Sequence, residues 1–246
     1  MKILGIETSG PIASVAIIEE SRLIGIKMGD FNVTHSQTLM PLLDKLLKET
    51  KTSLEEIEAI AVSAGPGSFT GLRIGSAAAK GLALALDKPL VHVPTLHAMA
   101  YNILSPEAVG LFIVPMIDAR RDSVYCGIFN FIIRPDNTVD FDIFQDSQMM
   151  TLDELFEQLQ MLTSLDGNPP PVIFLGDGAQ VYEEKIHEMA TFDYGFAEEE
   201  AMLQRADTVA LVGQLKYRLG LIADADSEAP DYLRASQAER EREENK

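Results

Sequence analysis

The chain has 246 residues, with 20 basic and 38 acidic side chains and a formal charge of −18 at pH 7. That balance excludes a free-standing nucleic-acid binder, which needs a lysine- and arginine-rich face to displace counterions from phosphate. The single cysteine, Cys126, excludes an internal disulfide framework and a cysteine metal cluster.

An apolar fraction of 46% with 24% charged residues is ordinary for a globular protein, and a chain of this length buries roughly 70 to 75% of its unfolded surface. The opening Met1-Lys2-Ile3-Leu4-Gly5-Ile6-Glu7 reaches an acid too early for a secretory apolar region. No run of about 18 apolar residues follows. A cytoplasmic location without membrane association is therefore expected.

In chain order, Lys2 to Thr8, Ala13 to Glu19 and Arg22 to Met28 read as three strands of an antiparallel meander, separated by short polar turns. From His35 to Thr50, apolar residues at Leu39, Met40, Leu42, Leu43, Leu46 and Leu47 follow helical spacing, with Pro41 expected in the first turn. A strand over Glu58 to Ala64 leads through Gly65-Pro66-Gly67 into a helix from Ser68 to Leu86, with Ser68 as its N-cap. Pro89 to Val93 is a strand, and Leu96 to Leu104 a helix.

The second half repeats this order. Leu111 to Asp118, Ser123 to Asn130 and Val139 to Phe144 read as strands, Leu152 to Leu162 as a helix, Pro171 to Leu175 as a strand and Ala179 to Met189 as a helix, followed by a last helix over Asp207 to Leu219. Strand-strand-strand-helix-strand-helix occurs twice, which marks an internal duplication. Mixed sheets with helices between them give an α/β protein in two lobes. The expected division is an N-terminal lobe over 1–100, a C-terminal lobe over 101–223 and a partly disordered tail over 224–246.

Carboxylates at strand ends and glycine turns feeding helices are the parts of a metal-nucleotide site. Glu7, Thr8, Ser9, Asp118 and Gly176-Asp177-Gly178 are the candidates here, although Thr8-Ser9-Gly10 is also what a tight hairpin requires. Neither a Walker-type loop nor a dinucleotide-binding glycine fingerprint is present. The four histidines, His35, His92, His97 and His187, include no i, i+4 pair, so no metal site is expected. Cys126 lies mid-strand as a buried thiol, and Ser63, Ser68 and Ser76 have no histidine near them in sequence.

The most informative stretch runs from Gly65 to Gly75. Gly71, Gly75, Ala79 and Ala83 recur every four positions and flatten one helix face, although each glycine costs a helix about 1 kcal/mol relative to alanine. Such a face invites close packing, either against the helix His35 to Thr50 or against another protein. The apolar arc of that neighbouring helix is wider than one core-facing stripe, which favours a helix-on-helix interface with a second protein. A homodimer would satisfy it as well as a heterodimer.

At these residues the sequence resembles the TsaB (YeaZ) family. The likeness rests on Ile3 through Ser9, on His35-Ser36 with Leu39-Met40-Pro41, and on Gly65 through Gly75. It extends to Asp118 through Tyr125, to Gly176 through Ala179, and to Pro230-Asp231-Tyr232-Leu233-Arg234. The resemblance implies a duplicated actin/sugar-kinase/Hsp70-like fold. It also implies a non-catalytic subunit that pairs with a TsaD-like catalytic subunit and a TsaE-like ATPase to threonylcarbamoylate the adenosine next to the tRNA anticodon, reaching tRNA only through the complex.

Carried onto this chain, the partner interface would comprise His35, Ser36, Leu39, Met40, Leu42, Leu43, Leu46 and Leu47 with Ser68, Gly71, Leu72, Ile74, Gly75 and Ala79. A homodimer is expected when the partner is absent. TsaD-like relatives hold a metal with paired histidines on the first helix, and here His35 has no second histidine between positions 36 and 45. No cofactor is expected, with a nucleotide at a shared interface left open. The alternative is an ATPase or phosphotransferase of the same fold, and a metallopeptidase ranks below both. On the docking reading, Leu43→Glu or Gly75→Leu would break the heterodimer while sparing the fold.

Overall fold

A computed structural model of the chain describes residues 1–31, 33–136, 139–164 and 170–222. In order, the first half contains β1 (Lys2–Glu7), β2 (Ser14–Glu19), β3 (Arg22–Met28), α1 (His35–Thr50), β4 (Ala59–Ser63), α2 (Phe69–Leu86), β5 (Leu90–Val93) and α3 (Thr95–Ala100). The second contains β6 (Phe112–Arg120), β7 (Ser123–Ile133), β8 (Val139–Thr151), α4 (Leu152–Ser164), β9 (Val172–Leu175), α5 (Asp177–Val181), α6 (Glu183–Met189), β10 (Tyr194–Phe196), α7 (Glu199–Met202) and α8 (Ala206–Arg218).

Two five-stranded mixed sheets result, β3-β2-β1-β4-β5 and β8-β7-β6-β9-β10. In each, three strands form an antiparallel meander and two more join parallel to the first. The duplication seen in the sequence is thus a duplication of pairing. The chain separates into two units, Met1–Ala98 with the segment from Arg205, and Met99–Gln204.

In the first unit β1 and β4 lie centrally and are almost wholly buried, so they read as continuous apolar runs rather than alternating ones. One sheet face, carrying Leu4, Ile6, Val15, Ile17, Ile60 and Val62, packs under α1 and α2. The other packs under α8. Contact there is so close that a Cβ added to Gly5 would stand 2.2 Å from the Ala206 carbonyl oxygen, and one added to Gly213 would stand 2.3 Å from Ala61 Cβ. The helix is held at its start by the Ala206 amide, which donates to Ser14 Oγ at 3.0 Å.

This packing corrects the lobe assignment of the last helix. It follows the second sheet in sequence, but its small residues lie directly on Gly5 and Ala61 of the first. Pro41 is likewise corrected: α1 begins at His35, so the proline lies in the helix interior, on an exposed position.

The second unit has its own core, with Phe112, Val114, Met116, Val124, Cys126 and Ile128 under Leu152, Leu155, Phe156 and Leu159 of α4. Burial pushes the Cys126 thiol up to about 12, so it is protonated and inert at neutral pH. Several elements differ from expectation, among them β10 and α7, which the sequence pattern does not suggest. Strand β8 continues past Phe144 to Thr151, the helix expected over Ala179 to Met189 is two short helices broken at Tyr182, and the segment after Ala100 tightens into a 3₁₀ turn, Tyr101–Ile103. The expected tail over 224–246, including Pro230 to Arg234, lies outside the described residues.

The glycine contacts give a paired test. Gly5→Ala forces a Cβ into the α8 backbone and is expected to cost about 1 to 3 kcal/mol, whereas Gly81→Ala in α2, where a Cβ meets nothing within 4 Å, should add about 0.5 to 1 kcal/mol. Urea unfolding of the two variants against wild type reads both signs.

Candidate functional site

The loop after β1 is the first structure to build. Glu7 ends the strand with its carboxylate fully buried, 0% exposed. Its Oε1 accepts hydrogen bonds from the Ser9 amide and from Ser63 Oγ, the latter at 3.1 Å, while Oε2 is buried without a hydrogen-bond partner. Burial raises the Glu7 pKa above the ordinary 4.5, against the opposing pull of the donors on Ser9 and Ser63. A carboxylate committed inward in this way closes the β1 loop upon itself.

Helix α2 docks directly on the next residue. A Cβ at Gly71 would stand 2.0 Å from the Thr8 carbonyl oxygen, and one at Gly75 would stand 2.1 Å from Thr8 Oγ1. Thr8 Oγ1 donates to the Gly71 carbonyl at 2.8 Å. Two bonds complete the joint: the Ser68 amide donates to the Ser9 carbonyl at 2.7 Å, and Ser68 Oγ caps the helix by accepting from the Gly71 amide at 3.2 Å. The flat face of α2 is therefore filled from within the chain, by the end of β1.

Helix α1 is tied to the same loop. His35 Nε2 stands 2.9 Å from the Gly10 carbonyl oxygen, and since a carbonyl only accepts, Nε2 carries the proton. Between the N-terminal ends of α1 and α2 opens a groove of about 440 Å³, lined by Pro11, Phe31, Val33, Thr34, His35, Ser36, Ser68, Thr70, Gly71 and Ile74. Phe31 is 65% exposed and Met40, on the outer side of α1, 50% exposed.

The family comparisons agree with one another. The family model described as "TsaD: tRNA N6-adenosine threonylcarbamoyltransferase" matches residues 24–242. A curated relative, the tRNA threonylcarbamoyladenosine biosynthesis protein TsaB of Bacillus subtilis (strain 168), is 32% identical over 240 residues, covering 97% of this chain and 96% of its own length. The chain belongs to the TsaB (YeaZ) family. A tRNA N6-adenosine threonylcarbamoyltransferase of Lawsonia intracellularis is 38% identical over 113 residues, 40% of this chain and 32% of that protein. The solved structure of YeaZ from Pseudomonas aeruginosa superposes with a TM-score of 0.73 at 24% identity, over 94% of this chain and 99% of that one. The fold is the duplicated actin/sugar-kinase/Hsp70-like one that the resemblance implied.

Against the expected interface, the TsaB-family structure divides the residues sharply. Leu39, Leu43 and Leu46 form one seam of α1 turned onto the sheet, at 3%, 3% and 0% exposure. Gly71, Leu72, Gly75 and Ala79 are buried on the inner face of α2. These seven are core, because α1 and α2 must cover the apolar face of β1, β2 and β4, and they are corrected as partner contacts. Leu42, Leu47 and Ile74 are half-buried against the edge of that core. His35, Ser36, Met40 and Ser68 remain accessible, and Phe31, Val33, Pro11 and Thr70 join His35, Ser36 and Ser68 on the groove. The cue missed in the sequence is apolar side chains in loops, where no core demands them.

The candidate nucleotide residues fall in separate units. Glu7, Thr8 and Ser9 belong to the loop just described. In the second unit, Asp177 Oδ1 accepts from the Gly178 amide at 3.0 Å, and Asp118 Oδ1 accepts from Tyr182 Oη at 3.0 Å and from the Arg120 amide at 2.7 Å. Burial raises the Asp177 pKa, and the charge of Asp118 adds to it. Among the described residues, no group of three His, Cys, Asp or Glu side chains is placed to share a metal ion. His187 Nδ1 stands 2.6 Å from Tyr194 Oη.

Two tests follow from the burial. Leu43→Glu is expected to unfold the first unit, at a cost of about 4 kcal/mol or more, while Leu43→Ala costs about 2 to 5 kcal/mol; circular dichroism melts distinguish this from loss of a partner alone. A raised folded-state pKa at Glu7 contributes stability that is present below 4.5 and is lost as pH rises through the folded value, by about 1.4 kcal/mol for each pH unit between the two. Glu7→Gln, which keeps the acceptor for Ser9 and Ser63, should melt with wild type at pH 4 and increasingly above it toward pH 8. A gap that does not change with pH would show that the carboxylate is not the cause.

Proposed function

We propose that this TsaB-family chain is the non-catalytic subunit of a tRNA threonylcarbamoyltransferase, and that it docks a TsaD-like catalytic subunit through the accessible rim of α1 and α2. The observation that carries this reading is the groove at the two helix N-termini, with Phe31, Val33 and Met40 left in solvent beside it. Isolated apolar side chains are common on protein surfaces, but Phe31 and Val33 on one groove, with exposed Met40 one helical turn beyond Ser36, in a chain of −18 charge form the kind of patch that a partner covers. The partial likeness to a catalytic transferase supports pairing of related chains through equivalent helices, since duplicated paralogues inherit self-complementary faces.

His35 supports the non-catalytic role. It stands on the helix where TsaD-like relatives carry metal-binding histidines, and its Nε2 proton is committed to Gly10. One oxygen of the β1 carboxylate is likewise taken up within the chain, by the Ser9 amide and by Ser63 of β4. In this reading the chain supplies a surface, its partner supplies the metal and the chemistry, a TsaE-like ATPase joins the pair, and tRNA arrives through the complex in the cytoplasm. No described helix is long and apolar enough to cross a membrane. A second copy of the chain occupies the same rim when the partner is absent.

The test is reconstitution of tRNA modification from purified subunits with and without this chain, together with size-exclusion of the mixed subunits. Phe31→Asp with Met40→Glu should abolish the complex and the modification while the melting temperature stays within about 2 °C of wild type, as exposed substitutions do. Magnesium-ATP turnover by the isolated chain at a rate equal to that of the complex would favour the phosphotransferase reading instead.

A further inference from the structure

The turn between β6 and β7 is strained, and it presents unpaired charge. Arg120, Arg121 and Asp122 all have positive φ, at 66°, 56° and 56°. Side chains rarely adopt this left-handed conformation, and a two-residue hairpin loop of this kind prefers Asn-Gly. Strain of this sort persists where the surrounding structure imposes it and is concentrated at sites of function.

The hairpin between β2 and β3 serves as an internal control. Glu20 and Ser21 also have positive φ there, but both side chains are used by the chain itself: Glu20 pairs with the N-terminal amine and with Arg218, and Ser21 Oγ donates to Gln214 at 2.6 Å. Tertiary bonds brace that turn, and tertiary bonds through Asp122 brace the β6–β7 turn in the same way. At the β6–β7 turn the carboxylates are used internally while the cations are not. Asp122 pairs with Lys185 at 2.6 Å, its carbonyl accepts from the Leu152 amide at 3.1 Å, and Asp118 accepts from Tyr182 and from the Arg120 amide.

Among the described residues, Arg120 and Arg121 are exposed and make no ion pair, although Asp118 and Asp122 are their near neighbours. Among the described residues Arg22 is likewise exposed without an ion pair but stands alone, whereas Arg120 and Arg121 are consecutive; Arg134, Arg205 and Arg218 are each paired with a carboxylate, and Arg73 lies 3.9 Å over the Phe69 ring. In a chain with 18 surplus negative charges, two consecutive exposed arginines on a braced turn, with nearby acids turned to other partners, are suited to receive an anion.

We propose that Arg120 and Arg121 grip two phosphates of the tRNA backbone when the chain is part of its complex. This rests on the function proposed above and adds to it a direct RNA contact by the second unit. Phosphate is favoured over a protein carboxylate because this chain's own surplus of carboxylates has not been drawn to the arginines, while the named relatives act on an RNA that offers a phosphate at every nucleotide. The braced turn fixes the backbone from which both arginines project, so only their side chains need ordering when RNA arrives.

The experiment measures tRNA binding by the reconstituted complex across a salt series. Arg120→Ala with Arg121→Ala should weaken binding several-fold at 0.15 M salt and reduce the slope of log K against log salt by up to about 2, roughly one for each lost phosphate contact. Complex assembly and the melting temperature should stay unchanged. Arg121→Gly provides the second readout: glycine accepts positive φ freely, so its melting temperature should hold or rise while tRNA affinity falls, which a purely structural turn would not produce. An unchanged salt slope in the double variant overturns the proposal, as does loss of subunit assembly with tRNA binding by the remaining subunit intact, which would reassign the arginines to a protein partner. Failure of the wild-type chain to support modification would instead count against the function proposed above, and that arm is read without any arginine variant.

Discussion

The contact on which the first unit depends is the seating of Gly71 and Gly75 on Thr8. No Cβ fits at either glycine, so the helix backbone and the end of β1 meet directly, and the Thr8 hydroxyl bonds to the Gly71 carbonyl across the joint. That packing offsets the roughly 1 kcal/mol that each glycine costs a helix. Once it is made, the rest of the local geometry follows. Ser68 reaches the Ser9 carbonyl, Glu7 is drawn inward under the loop, and Gly10 is placed where His35 can tether the start of α1. The groove exists because these ties bring two helix N-termini to one loop.

The second sheet repeats the joint with different chemistry. A Cβ at Gly176 would stand 2.0 Å from the Met116 carbonyl oxygen, and Gly178 lies against the same stretch of β6, so a glycine turn after the inner parallel strand is pressed on the first strand in both units. The carboxylates then diverge. Glu7 is sealed into its own loop, whereas Asp118 is half-buried and bonded to Tyr182 and to the backbone of an exposed arginine turn. Duplication preserved the joint that folds each sheet and released the loop beyond it to specialise.

These features were unequally legible in the sequence. The two strand-rich repeats, the Ser68 cap and the glycine turn were readable because local period and local chemistry dictate them. The home of α8 was not, since its signal lies in two separated patterns, Gly5 and Ala61 on strands and Ala206, Ala210 and Gly213 on the helix, which meet only in three dimensions. The apolar width of α1 misled for a related reason. Leu39, Leu43 and Leu46 face the sheet, but Leu42 and Leu47 lean on the rim of the same core, so a helix lying in the angle between a sheet and a second helix buries more than one stripe without any partner. Of the docking surface, the sequence pattern located the helices but not the side of them that faces water.

What remains exposed is selective. Strand β8 ends its sheet and would offer unpaired amides to any passing strand, yet Asp142 Oδ1 accepts from the Ile143 amide at 3.0 Å and Asp146 Oδ1 from the Ser147 amide at 2.6 Å. The chain's own carboxylates thus cap that edge and add like charge against self-association. The groove itself is lined by Pro11, Phe31, Val33, Ile74, His35 and the hydroxyl residues Thr34, Ser36, Ser68 and Thr70, with no carboxylate among them. An acidic chain that places carboxylates along a sheet edge but none in the lining of the groove discriminates by charge as well as by shape: strand pairing at that edge is repelled, and an apolar helix entering the groove meets no carboxylate there.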